Sequence, residues 1–175
     1  FCYFYTIIFL PMNVQIRNYQ KDDCEAILII INEAILNSTA LYDYTPRSLS
    51  QQIAIFEDKI LKHFPVIVAE IDQKVVGFGY YSEFRLREAY KFTVEHSVYA
   101  DKAYIGKGIG KLLLMELINS AQKQKIHTMI GVIDSENTTS IAFHEKFGFE
   151  KVGFIKESGY KFDRWLHSVF MQKML

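Results

Sequence analysis

From Asn13 onward, apolar and polar residues alternate along NVQIRNY as they would on a strand with one buried face. Asp22 followed three places later by Glu25 has the form of a capping box. It predicts a helix through DCEAILIIINEAIL, whose apolar positions cover most of the circumference and so predict a buried helix. Thr45-Pro46 reads as an N-cap with proline in the first helical position, opening a second helix that runs to about Leu61. FPVIVAEI and KVVGFGYYS, separated by Asp72-Gln73, predict a hairpin, and AYKFTVEHSVYA predicts a third long strand. A glycine-rich stretch, YIGKGIGK, then leads into GKLLLMELINSAQKQK, a helix with an expected apolar stripe of Leu112, Leu113, Met115, Leu117 and Ile118. HTMIGVID reads as a buried strand. Asn137 to Phe147 reads as a short helix closed by Gly148, and FEKVGFIKE and RWLHSVFMQK supply the last two strands.

This alternation of strands and helices fits one domain over residues 12–175, and the 175-residue length is consistent with a single substantial core. Residues 1–11, FCYFYTIIFLP, differ in kind: they are apolar and uncharged, with neither a basic n-region nor enough length for a membrane span. The expectation is that Met12 is the start and that the leader is upstream sequence translated in frame. Twenty basic residues balance twenty acidic ones, and there is no long run of one sign, which argues against a nucleic-acid or acidic-membrane partner. The two cysteines, Cys2 and Cys24, lie in unrelated contexts, so no disulfide framework is expected and a reducing, cytoplasmic compartment fits. Cys24 reads as a small core residue.

The glycine stretch carries the first chemical signal. A Walker A loop requires a hydroxyl residue where Leu112 stands and a glycine where Ile105 stands. A dinucleotide fingerprint starting at Gly106 and Gly108 requires a third glycine where Lys111 stands, although Asp134 later in the chain would suit one. Both readings fail on spacing. What remains is a glycine-rich turn that presents backbone N–H groups at a helix N-terminus, a place for a phosphate or pyrophosphate.

VEHSVYADKAYIGKGIGKLLL followed by NTTSIAFHEKFGF resembles the cofactor-binding core of the GNAT N-acetyltransferase superfamily, with its loop pattern [QR]-x-x-G-x-[GA]. Gly108 and Gly110 match the glycines, and Ile105 stands where Arg or Gln is usual. INEAILNSTALYDYTPRSL, FRLREAYKFTVEHSVY and GYKFDRWLHSVFMQK are similar to the phosphinothricin-type acetyltransferases, including those acting on methionine sulfone and sulfoximine. This likeness runs from about Val14 to Met174. It departs from the family at Trp165-Leu166-His167, where Trp-x-Asp is frequent. The resemblance implies an α/β (α+β) fold, a mixed twisted sheet of six to seven strands flanked by about four helices. It also implies acetyl-CoA as co-substrate, no metal, a small-molecule amine acceptor and a homodimer. Acetyl-CoA contacts are implied at Val98, Tyr99 and Ala100, at Gly106, Lys107, Gly108, Ile109, Gly110 and Lys111, and at Asn137 and Ser140. Asn137 has a second reading as a helix cap, and the two are compatible.

Acetyl transfer to an amine requires the neutral amine, and an α-amino group with a pKa of about 8 is mostly protonated at neutral pH. A proton acceptor is therefore useful, and Glu95, within the strand that precedes the glycine loop, is the candidate. His96 should point to the opposite face. His144 stands where many GNAT enzymes carry a tyrosine acid and is the candidate donor to the departing thiolate, if charged. For the acceptor, Arg85 and Arg87 suit a carboxylate, Tyr90 a sulfone, phosphinate or carboxylate oxygen, and Tyr42 and Tyr44 are placed to close over it. Other amines (a peptide N-terminus, a polyamine, an aminoglycoside) and a non-catalytic acyl-CoA-binding module are the competing readings. The arginines argue against a polycationic acceptor.

Restoring the cation at the first position of the loop pattern gives a direct check. Ile105→Arg is expected to tighten acetyl-CoA binding modestly, by about threefold to tenfold for one added charge-assisted phosphate contact, as measured by calorimetric titration.

Overall fold

The computed structural model describes residues 13–175; the apolar leader and the expected start at Met12 lie outside the described residues. Seven strands form one sheet in the order β1-β2-β3-β4-β5-β7-β6. They are β1 Gln15–Asn18, β2 Val66–Ile71, β3 Lys74–Glu83, β4 Thr93–Ala100, β5 Thr128–Asp134, β6 Glu150–Lys161 and β7 Arg164–Met174. Four α-helices flank the sheet: α1 Cys24–Asn37, α2 Leu49–Leu61, α3 Ile109–Lys123 and α4 Thr138–Lys146.

Local chemistry accounts for most of these elements. Asp72 and Gln73 both take positive φ (47° and 63°), the two-residue turn whose twist matches the strands it joins, so β2 and β3 pair as the hairpin the sequence predicts. The two helix starts differ from expectation. The α1 region opens at Gln20, whose backbone N–H is held by Asp23 at 2.7 Å, and Asp23 is in turn gripped by Arg17; the Asp22–Glu25 pair is not the box. For α2 the N-cap is Ser48, which accepts from the Gln51 N–H while the Gln51 side chain accepts from the Ser48 N–H. Thr45-Pro46 precedes the helix. Ser-x-x-Gln satisfies two free N–H groups at once, which a lone Thr-Pro start does not.

The helices sort into two layers. On one face, Ile27, Ile31 and Ile35 of α1 and Phe56 of α2 pack against Val68, Phe78 and Tyr80. On the other, Ile109, Leu113, Leu114 and Leu117 of α3 pack against Val94, Met129 and Val169. Each such side chain contributes about 1.5–3 kcal/mol by leaving water. The buried stripe of α3 follows the 3.6-residue period from Ile109, so Met115 falls outside it and is exposed, contrary to the sequence expectation. Helix α1 is likewise buried along one side only: Ile29 is 73% exposed, because no third layer covers the helix. Cys24 is buried, as a core residue should be.

All neighbouring strands run antiparallel except β4 and β5, and this pair positions the site. Their parallel register extends only from Thr93↔Thr128 to Glu95↔Ile130. Beyond Glu95 the two strands separate, while β4 remains paired to β3 as far as Ala100. A cleft therefore opens in the middle of the sheet. Among the described residues no helix is long and apolar enough to cross a membrane.

Candidate active site

The cleft between β4 and β5 leads into an open cavity of about 1160 Å³. One wall is β4 from Glu95 to Ala100, another is the end of β5, the floor at one end is the glycine loop before α3, and α4 and residues 39–42 complete it.

The direction of the β4 backbone groups follows from its pairing. The Asp101 N–H bonds Val76 O, and Ser97 O and Tyr99 O lie against β3, so the intervening N–H groups of Val98 and Ala100 point away from β3 into the cleft. An extended chain entering there finds an unpaired strand edge, as in strand addition. At the far end Gly106 and Gly108 take φ of 80° and 84°, and a Cβ on either would meet nothing within 4 Å. Gly108 is the N-cap of α3. The first intrahelical bond runs from the Leu112 N–H to Gly108 O, which leaves the preceding N–H groups at the positive end of the helix dipole without an intrahelical partner. An unpaired strand edge ending at such a turn fits an extended arm ending in a pyrophosphate. Of the two loop lysines, Lys111 lines the cavity, whereas the Lys107 ammonium lies 4.7 Å from the ring centroid of Tyr104, itself a lining residue. Ile105 lines the cavity mouth and is 69% exposed, so a longer side chain fits there.

Alternation along β4 puts its ionisable residues on opposite faces. Glu95 lies on the α1–α2 face, and burial pushes its carboxyl above the ordinary carboxylate range against the opposing charges of Arg85 and Lys59. His96 is buried on the other face, where its Nε2 is 3.2 Å from Nε2 of His144. His144 Nδ1 is 2.7 Å from the Ser140 carbonyl, which can only accept, so the proton is on Nδ1. His144 Nε2 is then the acceptor, and His96 donates to it from Nε2, leaving the buried His96 Nδ1 without a partner among the described residues. Burial lowers the pKa of both rings, opposed at His144 by the Ser140 contact. The charged His144 donor of the sequence reading meets an apolar enclosure that favours the neutral ring.

Asn137 accepts from the Ser140 N–H at 3.0 Å and caps α4 while also lining the cavity, so the capping reading holds. Tyr42 lines the cavity, and the Tyr44 hydroxyl donates to the Tyr160 carbonyl. Arg85, Arg87 and Tyr90 are not brought into the cavity. They line a separate open depression of about 460 Å³ on the β3–β4 connection, where Tyr90 packs on Phe84 and the Arg85 guanidinium lies 5.0 Å from the Phe84 ring. Only Arg85 acts electrostatically on Glu95. At the departure from Trp-x-Asp, His167 Nδ1 accepts from the Glu157 N–H at 2.8 Å and stitches an irregular stretch of β6. Asp134, buried at the end of β5, accepts from the Glu136 N–H and faces Arg164. Among the described residues no group of three or more His, Cys, Asp or Glu side chains is placed to hold a metal ion.

Residues 32–149 match the model of the acetyltransferase (GNAT) family. The chain belongs to the GNAT acetyltransferase family. It is 39% identical to an L-methionine sulfoximine/L-methionine sulfone acetyltransferase of Pseudomonas aeruginosa, over 92% of this chain and 94% of that one. It is 35% identical to a phosphinothricin N-acetyltransferase of Alcaligenes faecalis, over 91% and 82%. A phosphinothricin acetyltransferase of Sinorhizobium meliloti, solved in complex with acetyl-CoA, superposes with a TM-score of 0.91 at 38% identity, covering 94% of this chain and 89% of that one. The GNAT protein is thus an acetyl-CoA-dependent N-acetyltransferase, and the strand edge and glycine turn fit that co-substrate.

The glycine turn gives a sharp test. Gly108→Val forces a β-branched residue into the left-handed region and is expected to weaken acetyl-CoA binding by about a hundredfold or more, read by calorimetry, with the thermal transition still cooperative.

Proposed function

We propose that this enzyme transfers the acetyl group of acetyl-CoA to the α-amino group of a small, oxidised or phosphinic amino acid of the methionine sulfone, methionine sulfoximine or phosphinothricin type. The observation that carries the reading is Glu95: a half-buried carboxylate on the α1–α2 face, at the point where β4 and β5 part, with cations of Arg85 and Lys59 beside it. Relatives at 35–39% identity over almost the whole chain are named for these acceptors, which supports the substrate class.

Acetyl-CoA supplies an acetyl group activated as a thioester. In the proposed ternary complex the N–H groups of Val98 and Ala100 hold the pantetheine arm and the thioester oxygen, with Tyr99 between them. Backbone N–H groups from Gly106 to Lys111, Gly110 and Ile109 included, hold the pyrophosphate, and Asn137 and Ser140 border the arm from α4. Glu95 takes the amine proton, directly or through a water, and the freed nitrogen attacks the thioester carbon. The C–N bond forms, the C–S bond breaks, and the second proton of the attacking nitrogen passes through water to the departing thiolate. Histidine 144 (His144) is kept neutral by its surroundings and serves to shape the wall beside the arm. Tyr42 is assigned to the acceptor, and Arg85 acts on Glu95 from outside the cavity; Arg87 and Tyr90, in the separate depression, are given no part.

The reading includes a homodimer. Edge strand β6 spans twelve residues and exposes Phe154 (51%), with Trp165 of β7 at 57%, an apolar edge that is an association site unless covered. The reading also includes a cytoplasmic location, which a sequence with only two cysteines, Cys2 and Cys24, fits.

A thiol-release assay with acetyl-CoA and a panel of amines tests the function. Methionine sulfone, methionine sulfoximine and phosphinothricin should be acetylated with the highest kcat/KM; preference for a polyamine, a peptide or an aminoglycoside would overturn the acceptor class, and no turnover would favour a binding module. Glu95→Gln should lower kcat by about 10²–10⁴-fold and leave acetyl-CoA affinity unchanged. Because burial raises the Glu95 pKa, the base form is lost as pH falls through that raised value. The acidic limb of kcat therefore lies above the ordinary glutamate value of about 4.3 and vanishes in Glu95→Gln. An unchanged limb in the variant removes Glu95 from the mechanism. Sedimentation should give a dimer that Phe154→Asp shifts to monomer.

A further inference from the structure

Residues 38–44 belong to the 38–48 segment that links α1 to α2 and have neither helix nor strand of their own, yet Thr39, Ala40, Leu41 and Tyr42 form a wall of the cavity. Local bonds hold only its start: the Ser38 N–H and hydroxyl both donate to Ala34 O, and the Ala40 N–H donates to Ser38 Oγ at 3.2 Å. Helix α1 ends without a glycine, and Ser38 follows it in an extended conformation (φ −146°, ψ 170°), so the carbonyls of the last turn lack the usual closing bonds.

The wall is held from a distant part of the chain. Lys161, the last residue of β6, is only 3% exposed, and its ammonium donates to Ile35 O at 2.7 Å, Ser38 O at 2.8 Å and Leu41 O at 2.7 Å. An ammonium has three N–H donors, and all three are used here. Among the described residues no carboxylate lies within ion-pair distance of it. Burial lowers its pKa, with Asp43 as the opposing charge. A buried ammonium held by three carbonyls, with the Phe162 ring centroid 5.0 Å away and no ion pair, contributes little net stability, and what it supplies is a fixed geometry. The same hairpin supplies further tethers. The Tyr42 hydroxyl is 3.4 Å from Ser168 Oγ, which is 2.7 Å from Ser158 Oγ, and a Cβ at Gly159 would stand 2.5 Å from the Tyr42 ring.

We propose that Lys161 is a positioning residue for the acceptor: by knotting the end of α1 to residues 38 and 41, it sets the wall against which the amine substrate is held near Glu95. This rests on the reading that the Glu95 side of the cavity receives the acceptor. Acetyl-CoA would lie along β4 and the glycine turn, which Lys161 does not touch, so the two substrates should respond differently to its loss.

Lys161→Met keeps the length of the stem and removes the three donors. With the best amine of the panel, acceptor KM should rise about tenfold or more, while the KM for acetyl-CoA stays within about twofold. Hydrogen exchange should accelerate in residues 38–44 and not in residues 98–111. Ser168→Ala, which removes the Tyr42 tether and the Ser158 contact but leaves the three Lys161 bonds, should move acceptor KM and exchange in the same direction by less, and it serves if Lys161→Met does not fold. Equal shifts in both KM values, an unchanged acceptor KM, or unchanged exchange in residues 38–44 would overturn the proposal. If the wild-type enzyme acetylates no amine in the panel, the acceptor reading fails, and exchange in residues 38–44 still decides whether Lys161 fixes the wall.

Discussion

The constraint on which the site depends is the short parallel register between β4 and β5. Three residue pairs hold the strands together, from Thr93↔Thr128 to Glu95↔Ile130, and then the ladder stops. Had it continued, the N–H groups of Val98 and Ala100 would be spent on β5 and no cleft would cross the sheet. Because it stops, one strand edge is free along its length and leads directly to the N-terminus of α3, where the helix dipole and the Gly106–Gly108 turn take over. In the proposed co-substrate site backbone groups, more than side chains, face the cleft, so Ile105 at the first position of the loop removes no backbone donor.

The sheet also separates two kinds of chemistry. Residues 94, 96 and 98 of β4 face the α3 layer, and residues 95 and 99 face the α1–α2 layer. Adjacent residues Glu95 and His96 consequently work in different environments. Both border the cavity, but Glu95 is half-buried and feels the charges of Arg85 and Lys59, whereas His96 is buried against the rings of His144 and Phe149. Burial raises the pKa of a carboxyl and lowers that of an imidazole, so the same physical effect turns Glu95 into a better proton acceptor near neutrality and His144 into a worse donor.

Features set by neighbouring residues were legible in the sequence. The Asp72-Gln73 hairpin, the Asn137 cap, the closing Gly148 and the glycine turn each depend on a handful of adjacent positions, and all appear where the pattern puts them. A local signal also misled: Thr45-Pro46 predicts the start of α2, but the helix starts at Ser48, because Gln51 completes its box. Contacts between distant segments were not legible. The His144 ring meets His96, 48 positions away, and the wall of residues 38–44 meets Lys161, more than 115 positions away. In the sequence Lys161 is one of twenty basic residues on a strand that is otherwise exposed, with no pattern to mark it.

The central claim, that the β4–β5 cleft is the acetyl-CoA site and that its Glu95 face receives the amine, is tested most directly by amide NMR in a two-stage titration. Acetyl-CoA alone should shift the amides of Val98, Ala100 and residues 106–111, and subsequent addition of a non-acetylatable acceptor analogue should shift those of residues 39–42 and Glu95. Shifts from acetyl-CoA that spare residues 98–111, or acceptor shifts confined to the depression at Arg87 and Tyr90, would contradict it.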